Sequence, residues 1–310
     1  ASNNTAVGMS ALSANTTAIR NVAIGNRALL ANTTGQDNTA LGVSALTTNT
    51  TGADNTGLGR LALASNTTAS SNTAVGFESL NANTTGANNT AVGKQSLKAN
   101  TTASNNTAVG SYALIANTTG AGNTAVGNDC MDSNTTGANN TAVGLDSLQA
   151  NTTGASNVAV GALALDANTT ASFNVGVGSG ALGGNTTGAH NIGIGADALI
   201  ANTTGTRNIA IGSNAYNSSD TENDNIAIGF NAMTTDTAGG EKNVAVGNYA
   251  LDALTSGDDN VAVGYDALGV NSTGEKNTAV GANSMQLHTT GNNNTAVGES
   301  SMDSNTTGAS

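Results

Sequence analysis

The side chains with the most obvious chemical potential are few and scattered: one cysteine, Cys130, and two histidines, His190 and His288, in 310 residues. Neither histidine has a cysteine or a second histidine at ligand spacing, so both read as surface substitutions rather than metal ligands. Cys130 has no partner for an intrachain disulfide and reads as a small buried thiol in place of Ala or Ser. The densest acidic segment is Asp220, Glu222 and Asp224, with Asp258 and Asp259 further along. Calcium takes six to eight oxygens, whereas Lys242 lies between these carboxylates, so local charge pairing is the expectation. No Ser/His/Asp constellation, phosphate-binding loop or carboxylate pair stands out. The sequence therefore predicts a protein that is not an enzyme and needs no cofactor or metal.

Composition narrows the partners. The net charge is −12 and charged residues make up 9% of the chain, against roughly 25% in a typical domain. No basic stripe exists to neutralise phosphates, which argues against nucleic acid and anionic membrane. No apolar run approaches the ~20 residues of a membrane-spanning helix, so no membrane insertion is expected. The chain holds three Phe, four Tyr, no Trp and no Pro. A thick core is therefore excluded. The chain begins Ala-Ser-Asn-Asn and ends in mid-pattern at Ser310, which reads as a fragment of a longer fibre protein.

What organises these residues is a repeat. The motif N-[TVI]-[AG]-[VIL]-G starts at Asn4 and recurs every 17 residues to Asn225, then resumes at Asn243 after one 18-residue unit, 225–242. Eighteen units fill residues 4–310 as one continuous array, with the consensus N-[TVI]-[AG]-[VIL]-G-x-x-[AS]-[LM]-x-x-N-T-T-[GA]-x-x. Such a period is too short for a helical repeat and fits a stacked β-unit. The predicted fold is an all-β solenoid, or β-roll, of eighteen coils with two short strands per coil, at positions 1–4 and about 8–13.

Several columns follow from stacking. Position 1 is Asn throughout, as at Asn21, Asn38, Asn55, Asn72, Asn89, Asn106, Asn123 and Asn140, and predicts an amide ladder from coil to coil. Position 12, mostly Asn, predicts a second. Position 5 is always glycine, as at Gly25, Gly42, Gly59, Gly76, Gly93 and Gly110, and predicts a turn with positive φ or close approach of neighbouring backbones. Position 17 alternates in sign along Arg207, Asp224, Lys242, Asp259 and Lys276, as a charge ladder between neighbouring coils would. The ladder passes through the longer unit, so its extra residue, near Gly239 and Gly240, is expected to bulge from a turn without shifting register.

Aliphatic residues at positions 2, 4 and 9 read as the core. Ala and Gly at position 3 and Ala or Ser at position 8 read as close-packing columns against other chains. So thin a roll buries little apolar surface per ordered residue, which predicts a parallel homo-oligomer. Asn-Thr-Thr also matches a glycosylation sequon, but glycans on coils about 4.8 Å apart would collide. Adjacent strand residues face opposite ways, so this triplet offers one Thr file where an ice-ordering face would need two.

The run N-T-A-V-G-x-x-A-L resembles the N-S-V-A-I-G-x-x-A repeat of YadA-like heads in trimeric autotransporter adhesins. The longer N-T-A-V-G…N-T-T-G array resembles those of tail-fibre-domain proteins carrying an endosialidase-type chaperone. The adhesin heads repeat at about 14 residues, and these units carry three more around Asn-Thr-Thr. The resemblance implies a homotrimeric β-roll outside the cell, at a cell surface or on a virion. The expected role is the shaft of a fibre that displays an adhesive or receptor-binding tip. Alternatives are a rod whose own face binds a cell-surface receptor, glycan or ice, and a self-assembling filament.

Overall fold

In the computed structural model, residues 3–235 and 239–308 are described. They form two compact units, Ala1–Ser156 and Asn157–Ser310, each with nine coils. Each coil contributes one three-residue strand at positions 2–4, from β1 (Thr5–Val7) to β9 (Thr141–Val143) in the first unit. In the second they run from β10 (Val158–Val160) to β18 (Thr295–Val297). Within a unit, consecutive strands pair in parallel and in step, Thr73 with Thr90 and Ala74 with Ala91, for example. The same register crosses the longer coil, where Ile226 pairs with Val244.

The prediction of two strands per coil is corrected to one. Residues at positions 8–13 form turns instead, because the backbone turns left-handed at positions 7, 9 and 17 of every described coil. At position 9, φ stays between +50° and +55° from Leu12 to Met302, although the residue is almost always Leu or Met. Each such residue costs roughly 1–2 kcal/mol, and burial of the same side chain returns about 1.5–3 kcal/mol. Leu29, Leu46 and Leu97 are fully buried. Their amides still join the coil-to-coil hydrogen bonding, with Leu29 N–H donating to the Ala45 carbonyl at 3.0 Å.

The faces of the strand are also corrected. Ala23, Ala40, Ala74 and Ala108 at position 3 are fully buried, whereas Ile24, Leu41 and Val109 at position 4 are exposed. Alternation is preserved, but the small residue points in. The bore of the roll explains why: at Gly57, which occupies position 3, an added Cβ would already lie 3.4 Å from both the Leu46 side chain and the Ala62 carbonyl. A branched side chain has no room there. Position 8 is interior as well, as at Ala28, Ala45 and Cys130. The Ala columns are thus the thin core itself and are unavailable for packing against other chains.

Candidate functional site

The interior is half polar, and its polar half is the asparagine system. At position 1, Asn106 Oδ1 accepts the amide of Asn123 at 2.9 Å, and Asn106 Nδ2 donates to the Gly120 carbonyl at 3.0 Å. The arrangement recurs along the column. Asn38 N–H donates to Asn21 Oδ1 at 2.9 Å, Asn55 to Asn38 at 3.0 Å, Asn72 to Asn55 at 3.0 Å, Asn89 to Asn72 at 2.9 Å and Asn140 to Asn123 at 2.9 Å. At position 12 the bond is side chain to side chain, as from Asn117 Nδ2 to Asn100 Oδ1 at 3.0 Å. Both columns are buried and hydrogen-bonded, which is what a polar group needs in such a bore.

The turn glycines have backbone reasons to be glycine. Gly25, Gly42, Gly59, Gly76, Gly93 and Gly110 have φ between +132° and +141°. A Cβ on Gly59 would stand 2.5 Å from the Gly76 carbonyl oxygen of the next coil. Backbones approach too closely there for any side chain.

Position 17 stacks through its backbone, with Asp259 N–H donating to the Glu241 carbonyl at 3.1 Å and Lys276 N–H to the Asp258 carbonyl at 2.9 Å. Among the described residues, the ion pairs that close in this column are Arg207–Asp224 at 2.5 Å and Arg20–Asp37 at 2.6 Å. The guanidinium in each case holds its carboxylate below the ordinary range. Lys242, Asp259 and Lys276 keep the register without closing a bridge. In the longer coil, Asn225 Nδ2 reaches the Gly240 carbonyl, 15 residues on, where other coils use a spacing of 14. Gly240 therefore occupies the regular turn, and an added Cβ on Gly239 would meet nothing within 4 Å. The extra residue lies between Thr235 and Gly240, where residues 236–238 lie outside the described ones.

The acidic segment does not converge. Glu222 is buried and accepts the amides of Asp220 and Thr221 at 2.8 and 3.0 Å. Asp224 holds Arg207, and Asp258 accepts the amide of Glu241 at 2.8 Å. Among the described residues no group of three or more acidic, histidine or cysteine side chains is placed to hold a metal.

His190 is exposed and stacks on Phe173, with centroids 5.1 Å apart. His288 corrects the surface assignment. It is fully buried in the position 12 column, its ring nitrogens 3.0 Å from the Asn305 carbonyl and 2.9 Å from the Gly291 carbonyl. Cys130 donates to the Ala142 carbonyl at 3.4 Å, and burial pushes its thiol up to about 12. Such a thiol is a poor nucleophile.

Two surface features were not legible from single residues. Three glycines in one coil, Gly180, Gly183 and Gly184, open a cavity of about 400 Å³ between Leu163 and Ile200, with Asp166 and Asp197 beside it. Farther along the same unit, Phe230, Tyr249 and Tyr265 form a row of touching rings. No protein-family model matches the sequence, and neither a curated protein nor a solved structure matches it.

Proposed function

We propose that this chain is a structural shaft of an extracellular, cell-surface or virion fibre, assembled as a parallel homotrimer that spaces or displays a binding tip. The observation that carries the reading is the outward strand face. Within the second unit, position 2 is Val or Ile in seven consecutive coils, from Val158 to Val261, and position 4 is Val or Ile in all nine. Ile194, Ile211 and Val263 remain 36–38% exposed, on a flat parallel sheet with no cover. A contiguous apolar strip of this kind marks an association surface, and in-register coils would let identical chains pack along it in parallel. The polar interior, with a buried amide pair in most coils, suits a part whose business is stiffness. The resemblance to trimeric autotransporter heads agrees with this reading.

Sedimentation equilibrium of the full chain tests it. A trimer is expected, and Ile194→Lys with Ile211→Lys should lower the mass while leaving the β-signal in place. A monomer at every concentration would sink the homotrimer.

One observation favours a second reading, in which the rod's own face binds a surface or ice. In the first unit, position 2 is Thr in seven successive coils, from Thr39 to Thr141, beside the position 4 aliphatics. Hydroxyl and methyl files thus run side by side. Ice-recrystallisation inhibition by the isolated chain separates the two readings.

A further inference from the structure

Seven aromatic residues occur in the chain, and three of them fall in successive coils on one face. Phe230 stands at position 6, Tyr249 at position 7 of the next coil and Tyr265 at position 6 of the one after. Coil stacking makes them neighbours, since Tyr249 N–H donates to the Phe230 carbonyl at 3.0 Å. The rings of Phe230 and Tyr249 meet edge to face at 5.6 Å and 83°, and those of Tyr249 and Tyr265 at 5.8 Å and 76°. Phe230 is 42% and Tyr265 54% exposed. So much aromatic surface is costly to leave in water on a chain otherwise coated with amides and hydroxyls.

The remaining aromatics differ in a way that singles out this row. Arg60 lies 5.4 Å over Phe77, Lys94 lies 4.9 Å over Tyr112, Phe173 stacks on His190, and Tyr216 is buried. Among the described residues no cation covers the three rings. Rings in edge-to-face contact leave no gap between them, so the row is a corrugated platform and not a cage around a quaternary ammonium. Hydrogen-bonding groups border it: exposed Asn248 accepts the Phe230 amide at 2.9 Å, and Asp266 accepts from Gln286.

We infer that Phe230, Tyr249 and Tyr265 form a binding platform for a neutral carbohydrate. A pyranose presents an apolar C–H face and hydroxyl edges, matching rings bordered by amide and carboxylate. Asp252 and Asp266, beside the rings, repel sulfated and sialylated sugars, and the same charge disfavours nucleobases carried on phosphate. The row runs from coil to coil, so an oligosaccharide would lie along the stacking direction and cover several rings. The inference is independent of the shaft reading: a monomeric chain would leave it standing, and loss of the platform would leave the trimer standing.

The chain has no Trp, so tyrosine emission reports directly on this row. The full chain is titrated, by fluorescence and calorimetry, with neutral hexasaccharides of β-1,4-glucose, α-1,4-glucose and β-1,4-N-acetylglucosamine. Sialyllactose and a heparin hexasaccharide are the anionic comparators. At least one neutral sugar should bind saturably, with affinity falling about tenfold or more in Tyr265→Ser and unchanged in Tyr112→Ser. Thermal melts check that each variant is folded, and Phe230→Ser replaces any that is not. The proposal is overturned if no neutral sugar binds at about 10 mM, if the anionic sugars bind more tightly, or if binding survives the folded F230S/Y249S/Y265S variant.

Discussion

At the scale of single residues, the decisive quantity is how close one coil's backbone comes to the next. Gly57 and Gly59 lie two residues apart and predict opposite outcomes. Gly57 takes the position most coils give to Ala, and its added Cβ would meet neighbours at ordinary contact distance. Gly57→Ala should therefore leave the thermal midpoint unchanged or slightly raised. Gly59 has φ +133° and its Cβ would be driven into the Gly76 carbonyl. Gly59→Ala should cost about 2–4 kcal/mol, read from denaturant melts. Sequence alone marked the position 5 glycines by their invariance. It also carried an unread signal for the left-handed turns: positions 7, 9 and 17 contain no Val, Ile or Thr in any coil, although these residues abound elsewhere. Branching at Cβ makes positive φ most costly, so their absence points to it.

Asp252 gives a pH prediction at the same scale. Burial, with Asp266 adding to it, raises this carboxyl to about 6, against an ordinary value of about 3.9. Between those values the folded chain binds a proton that the unfolded chain does not. Stability from this group therefore increases as pH falls from about 6 to 4, and the ionised group costs stability above that window. Asp252→Asn should raise the melting midpoint at pH 7.5, with the gain shrinking toward pH 4. Its partial exposure holds the effect under about 1 kcal/mol. A gain that grew on acidification would contradict the sign.

At the scale of the coil, the two asparagine columns look alike in sequence and differ in duty. Position 12 tolerates Ser219, Leu254 and His288, all buried, whereas position 1 admits nothing but Asn. The hydrogen bonds explain the difference. Asn117→Leu removes a side-chain link, but the Gly120 carbonyl keeps its bond from Asn106. Asn106→Ala instead strands the buried amide of Asn123 and withdraws one donor from Gly120. Leaving a buried group unpaired costs about 1–3 kcal/mol. Asn106→Ala should therefore destabilise by about 3 kcal/mol and Asn117→Leu by less than half of that, measured in parallel chemical melts. The coil also shows where reading from sequence fails. Period, register and both ladders followed from spacing, which is a property of the backbone. Which strand face was inside did not follow, because the larger residue was assigned to the core by size. The bore is too narrow for it, and alternation alone is symmetric between the two faces.

At the scale of the whole molecule, the reading as a spacer makes one demand that no binding-site reading makes: coils should be removable in whole numbers. Among the described strands, each contacts only its immediate neighbours within a unit, so the energy of each unit is a sum of nearest-neighbour interfaces. Deleting residues 89–122 joins Asn88 to Asn123, position 17 to position 1, and every column continues across the junction. The identified loss is the partly exposed Lys98–Glu78 ion pair, worth under about 1 kcal/mol. The shortened chain should melt within about 5 °C of the parent. Deleting residues 93–100 removes fewer atoms and should do far more harm. It takes away Gly93, buried Leu97 and Asn100, and the Ser96 carbonyl that Leu80 N–H uses. A drop of about 10 °C or more is expected. Circular dichroism melts of the two deletions, with amide exchange on the first unit, read the outcome. Equal damage from both would contradict the stacked-coil account of stability. If the 89–122 deletion folded but lost a binding activity of the parent, that pair of coils would be a recognition site, and the spacer reading would fall.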